Sequence, residues 1–289
     1  MKKKRYLAAL LFVVFLWGFD FIGLDYILRY ISPTLVTLMR MSFSAVVMII
    51  ITLVREKKIH YDRKYILRIF LCGSLGMSVY FTFESIGIEH TSGAFTSLVL
   101  ALVPVFGMFA DRIIYGSRIG PLKIIGIVGS IAGVALLVIG SGDSVNANVT
   151  GIIFMLAAAV IWTFFIVGTK PLYEKYSLCS LLAGFFTSAA IISVPMLLID
   201  VPLKFSAQPK VMAVLLVTTL VCIVFGEMIY VAAIGHLSVT TVSLSENILP
   251  LVTVLFSWII FGQMLSGLQL IGGLAIIVSV SIISKQEKG

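Results

Sequence analysis

Tyr6–Leu28, YLAALLFVVFLWGFDFIGLDYIL, is an apolar run longer than the roughly 20 residues needed to cross the hydrocarbon core of a bilayer. It follows Met1-Lys-Lys-Lys-Arg5 and so imitates a secretory leader. It outlasts the h-region of a leader, however, and no Ala-x-Ala cleavage site follows. The run therefore reads as a retained first membrane span. Nine further apolar stretches follow: Pro33–Leu53, Ile66–Gly87, Ser92–Ile114, Ile124–Ile139, Gly151–Leu172, Ser180–Ile199, Val211–Ala233, Ser238–Phe261 and Leu268–Ser284. Charges, Pro, Gly or Asn bound each of them.

Ten spans and their loops use nearly all of the 289 residues, and the composition agrees. The chain is 60% hydrophobic and 12% charged, with mean hydropathy +1.13. A soluble domain is nearer 45–50% apolar and about 25% charged. The expected fold class is an all-α integral membrane protein of ten transmembrane helices.

The formal charge of +8 does not point to nucleic acid, because the bases fall on one side. With the N-terminus inside, 17 of the 21 Lys and Arg residues are cytoplasmic, among them Lys2 to Arg5, Arg55, Arg63, Lys64, Arg68, Arg112, Lys175 and Lys288. Only Arg29, Lys204 and Lys210 are outside, and Arg40 lies within a span. This is the positive-inside pattern, and it places both termini of a multi-pass cell-membrane protein in the cytoplasm.

The sequence repeats itself. Leu16-Trp17-Gly18-Phe19 recurs 145 residues later as Ile161-Trp162-Thr163-Phe164. Pro104 recurs 146 residues on as Pro250, and Ile113-Ile114-Tyr115-Gly116 as Ile259-Ile260-Phe261-Gly262. Residues 1–145 and 146–289 thus form two five-span units. An odd number of spans inverts the second unit relative to the first, an architecture common in secondary transporters with a solute site near the midplane.

With these motifs the chain resembles the EamA type of the drug/metabolite transporter superfamily. The features that carry the resemblance are Leu16-Trp17-Gly18, Ser32-Pro33 with Arg40, Thr91-Ser92 with Pro104, and the Tyr115-Gly116 and Phe261-Gly262 hinges. Their order and duplication are more specific than any one of them. The family carries amino acids, nucleobases, sugars, organic cations and other metabolites, with exporters and importers among its members. The chain departs from the pattern at Ser117, Gln263, Asp20 and Glu246.

Ionisable groups within a span cost several kcal/mol and mark function by default. Five are expected here: Asp20, Arg40, Glu84, Glu227 and Glu246. At 1.5 Å per residue, Asp20 and Arg40 lie about 12 and 10 Å from the outer edge and can pair. Glu84 is expected to be shallower on the outer side, and Glu227 and Glu246 about 9 and 12 Å from the inner edge. The acids would form an outer and an inner group. Trp17 and Trp162 fall at mid-depth rather than at the interface, where Trp is usual. They are candidate walls for an organic cation held by cation–π contact, with Tyr80, Phe165 and Phe19 beside them. Ser243, Glu246, Asn247 and Pro250 fall on one helical face ending at a helix break, matched in the first unit by Pro104. The candidate substrate-binding set is Trp17, Asp20, Arg40, Tyr80, Glu84, Trp162, Phe165, Glu227, Ser243, Glu246 and Asn247.

The expected function is secondary active transport of an organic cation, amine or amino acid by alternating access, antiport included, driven by protons or membrane potential. A passive facilitator is the alternative. No Walker motif, HExxH, paired intramembrane aspartates or Ser-His arrangement is present, which argues against ATP hydrolysis and enzymatic chemistry. Cys72, Cys179 and Cys222 have no CxxC spacing and His60, His90 and His236 no ligand spacing, so neither a metal nor a cofactor is expected. Partners are the solute and the bilayer. Gly126, Gly129, Gly133, Gly272 and Gly273 permit close helix packing, within a monomer or across a homodimer.

Overall fold

A computed structural model describes residues 2–115, 120–140, 149–234, 248–262 and 264–285. Every regular element among them is helical. Among the described residues, six helices are long and apolar enough to cross a membrane: Ala8–Leu28, Pro33–Glu56, Arg63–His90, Val149–Tyr173, Leu178–Asp200 and Pro209–Ala233. Shorter apolar helices occupy the stretches read as the fourth, fifth, ninth and tenth spans.

In chain order the helices are α1 (Lys2–Leu28), α2 (Pro33–Glu56), α3 (Arg63–His90), α4 (Gly93–Leu100), α5 (Val103–Tyr115), α6 (Pro121–Gly140), α7 (Val149–Tyr173) and α8 (Leu178–Met196). Then come α9 (Pro209–Val217, continued through Thr218–Phe225 and Gly226–Ile234), α10 (Leu249–Phe261) and α11 (Gly267–Lys285). The expected fourth span is two helices, not one. Pro104 has no N–H to bond the Leu100 carbonyl, so α4 stops there and α5 starts after a turn at Ala101 and Leu102. Pro250 lies in the first turn of α10, where a missing N–H costs nothing.

Two π-helical segments were not expected from the apolar pattern. One is Ser74–Val79 within α3, and the other is Thr218–Phe225 within α9. They begin at places close to one repeat offset apart. In the first, the Tyr80 N–H bonds back five residues to the Leu75 carbonyl. The wider turn shifts the helix register, a device frequent at functional sites. Gly76 sits in this segment because a side chain there would collide with the Phe165 ring.

Packing pairs elements across the chain. α2 lies along α8, and α6 along α11. α1 packs on α9 and α10, while α7 packs on α3, α4 and α5. The glycine faces serve the α6–α11 contact: a side chain at Gly133 would meet the Gly272 carbonyl and Ile276, and one at Gly129 would meet Ser279. Leu11, Phe12, Val46, Ile50, Ile124, Ile131, Leu255 and Ile271 stand exposed, as a lipid-facing surface requires.

Carboxylates at the ends of α2 and α8 each cap the start of the other helix. Glu56 accepts hydrogen bonds from Ser177 Oγ (2.6 Å) and Ser180 Oγ (2.8 Å). Asp200 accepts the Thr34 N–H at 2.8 Å. A negative group at a helix N-terminus meets unpaired N–H groups and the positive end of the dipole. Beside the first cap, Asp62 pairs with Lys175 at 2.8 Å, and the Tyr61 hydroxyl donates to the Ser180 carbonyl at 2.6 Å. Burial, then the neighbouring Glu56 charge, pushes the Tyr61 phenol up to about 12, so it stays a donor at physiological pH.

The Asp62–Lys175 clasp has a defined pH window. The hydrogen bond from Lys175 lowers the Asp62 pKa, so the clasp is fully present above the usual carboxylate range and lost as pH falls through the lowered value. The same bond raises Lys175, so the contact holds below the usual lysine range and is lost as pH rises through the raised value. Protection of the 57–62 amides, taken relative to their intrinsic exchange rates, should hold between the lowered Asp62 value and the raised Lys175 value and fall on both sides of that window. Asp62→Asn should remove the acid limb of that profile.

Candidate functional site

α1, α3, the α4–α5 break, α7, α9 and α10 surround one cavity. It holds about 620 Å³ of empty space, counting its open mouth. The π segments aim its walls. Tyr80, Phe81 and Glu84 follow the first directly, and Glu227 and Tyr230 follow the second. The break supplies Leu100, Ala101 and Val103.

One wall is aromatic. Trp17 and Trp162 meet edge to face at 6.4 Å between ring centroids. Tyr80 lies 4.7 Å from Trp162, and Phe165 stacks behind Trp162 at 5.1 Å with 28° between the planes. Tyr230 closes the group, 4.9 Å from Trp17 and 6.1 Å from Trp162. The indole N–H of Trp17 donates to the Cys222 carbonyl at 3.3 Å, a carbonyl within the second π segment. Gly226 leaves room for that indole. Phe19 turns away from the cavity and packs on Phe256 at 5.8 Å.

The other wall is acidic. Asp20, Glu84 and Glu227 line the cavity and are 4%, 3% and 1% exposed. Asp20 accepts a hydrogen bond from Arg40 Nη2 at 2.5 Å. Arg40 stands behind the lining, 2% exposed, with its guanidinium 6.0 Å from the Phe81 ring centroid. Glu84 accepts the Tyr80 hydroxyl at 2.8 Å and lies close enough to feel the charges of both Asp20 and Arg40.

Two sequence expectations change. Glu84, expected to be shallower on the outer side, is buried in the wall of the same cavity as Asp20. Glu227 lines the same space as Asp20 and Glu84, so these acids are not split into outer and inner groups. Counting residues along a regular helix cannot foresee the π segments or the helix tilts that bring them together. Ser243, Glu246 and Asn247 lie outside the described residues. Tyr230 and Phe81 were missed. The tyrosine stands 146 residues after Glu84, and Phe81 follows Tyr80, so the repeat held a signal for the first. Asp25, also within α1, accepts the Gly93 N–H at 3.2 Å at the start of α4.

The family model described as the EamA-like transporter family matches twice, over residues 4–139 and 149–285. The chain belongs to that family. Its relatives are named as transporters or efflux pumps, not enzymes. A probable terminal-alkyne amino-acid exporter of Streptantibioticus cattleyicolor is 26% identical over 219 residues, 76% of this chain and 73% of the relative. A probable amino-acid metabolite efflux pump of Salmonella typhimurium is 25% identical over 290 residues, 97% of this chain and 94% of the relative. A solved crystal structure superposes with a TM-score of 0.67 at 17% identity, covering 100% of this chain and 99% of the other, which speaks for the fold alone. This EamA chain is thus a multi-pass membrane transporter protein.

Proposed function

We propose that the chain is a secondary active transporter of small organic cations or amines. The observation that carries the reading is the cavity: aromatic rings on one side, three buried acids on the other. Among the described residues three carboxylates face it, and Arg40 beside them is already engaged by Asp20. Ionised acids in so dry a place need positive charge nearby. A protonated amine or a proton supplies it, and the rings add cation–π attraction of about 0.5–2 kcal/mol. Trp17, Tyr80, Trp162, Asp20, Glu84 and Glu227 contact the solute. Arg40 holds Asp20, and Phe165 supports Trp162. Pro104 and Pro250 allow the walls to flex.

The ten-span, inverted-repeat reading rests on the repeat offset, on the two π segments in matching places, and on packing. α1 on α9 and α10 mirrors α7 on α3, α4 and α5, as an exchange of halves requires. Rocking of the halves 1–145 and 146–289 would expose the acids to each side in turn, with proton antiport or membrane potential as the drive. The one-sided bases favour cytoplasmic termini in the cell membrane.

The names of the two relatives favour a second reading, an amino-acid substrate. Its ammonium suits the acids, but its carboxylate needs Arg40 to release Asp20. Uptake by vesicles of an aromatic amine and of its neutral isostere tests the proposal: amine-selective uptake supports it, and equal uptake opposes it.

A further inference from the structure

A groove runs down the outer surface between α3 and α7, separate from the cavity mouth. Lys64 and Arg68 stand at its upper end, Leu71, Leu75 and Phe164 along it, and Gly168 on its floor. It holds about 890 Å³ counting its open side. Lys64, Arg68, Leu71 and Leu75 are spaced i, i+4, i+7 and i+11, so they share one face of α3. From Lys64 to Leu75 is about 16 Å at 1.5 Å per residue. That is close to half of a hydrocarbon core of about 30 Å, the depth of one leaflet. Two charges followed by an apolar track match the order of a phospholipid headgroup and its acyl chain. Leu71, Leu75 and Phe164 are 47%, 44% and 59% exposed, so the track lies open to lipid.

The charged end is built for an anion. α3 starts with Arg63 and Lys64 and has no acid in its first turn, so bases crowd the positive end of the helix dipole. Asp62 makes no side-chain cap bond there, being drawn to Lys175. Arg68 is fixed by one bond, Nε to the Gly168 carbonyl at 2.8 Å, which leaves the rest of its fork for a phosphate. A side chain at Gly168 would press on Cys72, so the glycine keeps α7 close to α3 along the floor of the groove.

We infer that this groove binds one anionic phospholipid, its phosphate between Lys64 and Arg68 and an acyl chain along Leu71, Leu75 and Phe164. The inference rests on the proposed orientation, which puts this end in the cytoplasmic leaflet where anionic lipids collect. Phe165 also borders the groove, and its ring stacks on Trp162, so the lipid backs the aromatic wall of the cavity.

The test titrates the purified full-length protein with phosphatidylglycerol, with phosphatidylcholine of the same acyl chains, and with inorganic phosphate. Native mass spectrometry reads occupancy and a melting curve reads stabilisation. Phosphatidylglycerol should give a one-lipid adduct and raise the melting temperature, while the other two should not. The variant Lys64→Gln/Arg68→Gln should weaken that adduct about tenfold or more, at roughly one unit of basic-residue attraction each. Leu71→Trp, which fills the track and keeps both charges, should do the same even if the double variant fails to fold. Lys204→Gln, near the other end of the molecule, should leave the adduct unchanged. Equal adducts with both lipids, an adduct unchanged in Leu71→Trp, or full stabilisation by phosphate alone would overturn the inference. Loss of amine transport with the adduct intact would count against the proposed solute and leave the lipid site standing.

Discussion

Asp20→Asn should lower the unfolding free energy of the purified protein by about 3–5 kcal/mol, whereas Asp20→Phe/Arg40→Phe should leave it level or higher. The single change removes the hydrogen-bonded counter-charge of a guanidinium that is only 2% exposed. The double change removes both ions together. The second half of the chain already carries that apolar solution. Trp17 and Ser32 recur 145 residues later as Trp162 and Ser177, and the same offset takes Asp20 to Phe165 and Arg40 to Phe185. Phe165 and Phe185 pack edge to face at 5.6 Å in the place where the first half holds its ion pair. Replacing a buried ion pair by well-packed apolar groups is often neutral or stabilising by about 1–4 kcal/mol. The double variant should nonetheless fail to carry amines, because the cavity loses an acid. A double variant less stable than Asp20→Asn would show that the pair holds the fold together.

Glu84→Gln should reduce amine transport by about 10- to 100-fold while leaving stability unchanged or improved. The amide oxygen can still accept the Tyr80 hydroxyl, which now spans 2.8 Å to the carboxylate, so the local shape survives. What disappears is one charge. A hydrogen bond to a charged group contributes about 1.5–3 kcal/mol, which corresponds to roughly that change in affinity. Removing a buried carboxylate also removes its desolvation cost. Initial rates of amine uptake and a melting curve on the same preparation check both halves of the expectation. Full transport by Glu84→Gln would exclude Glu84 from the solute site.

The apolar runs, the repeat and the mid-span tryptophans were legible because each is a matter of counting along the chain. The Asp20–Arg40 pair was legible for the same reason: regular helices on either side of one short loop put both at nearly one depth. The gathering of Glu84 and Glu227 was not. Each follows a π segment, and nothing in SLGMSV or TTLVCIVF announces a wider turn. Equally hidden was the split of the fourth span into α4 and α5. Pro104 signals a break, but only the backbone shows the chain turning at Ala101 and Leu102 and lending Leu100, Ala101 and Val103 to the cavity. The mutual capping of α2 and α8 by Glu56 and Asp200 also needed the fold, because it joins residues more than a hundred positions apart.

The central claim is that an aromatic and acidic cavity selects positive charge. Vesicles containing the purified protein can be offered two solutes of equal shape, a protonated aromatic amine and its uncharged carbon isostere, under an imposed inside-negative potential. Saturable uptake of the amine alone, blocked by excess quaternary ammonium compound and diminished in Glu84→Gln, is the predicted result. Equal uptake of both solutes, or uptake that only anionic compounds block, would contradict it.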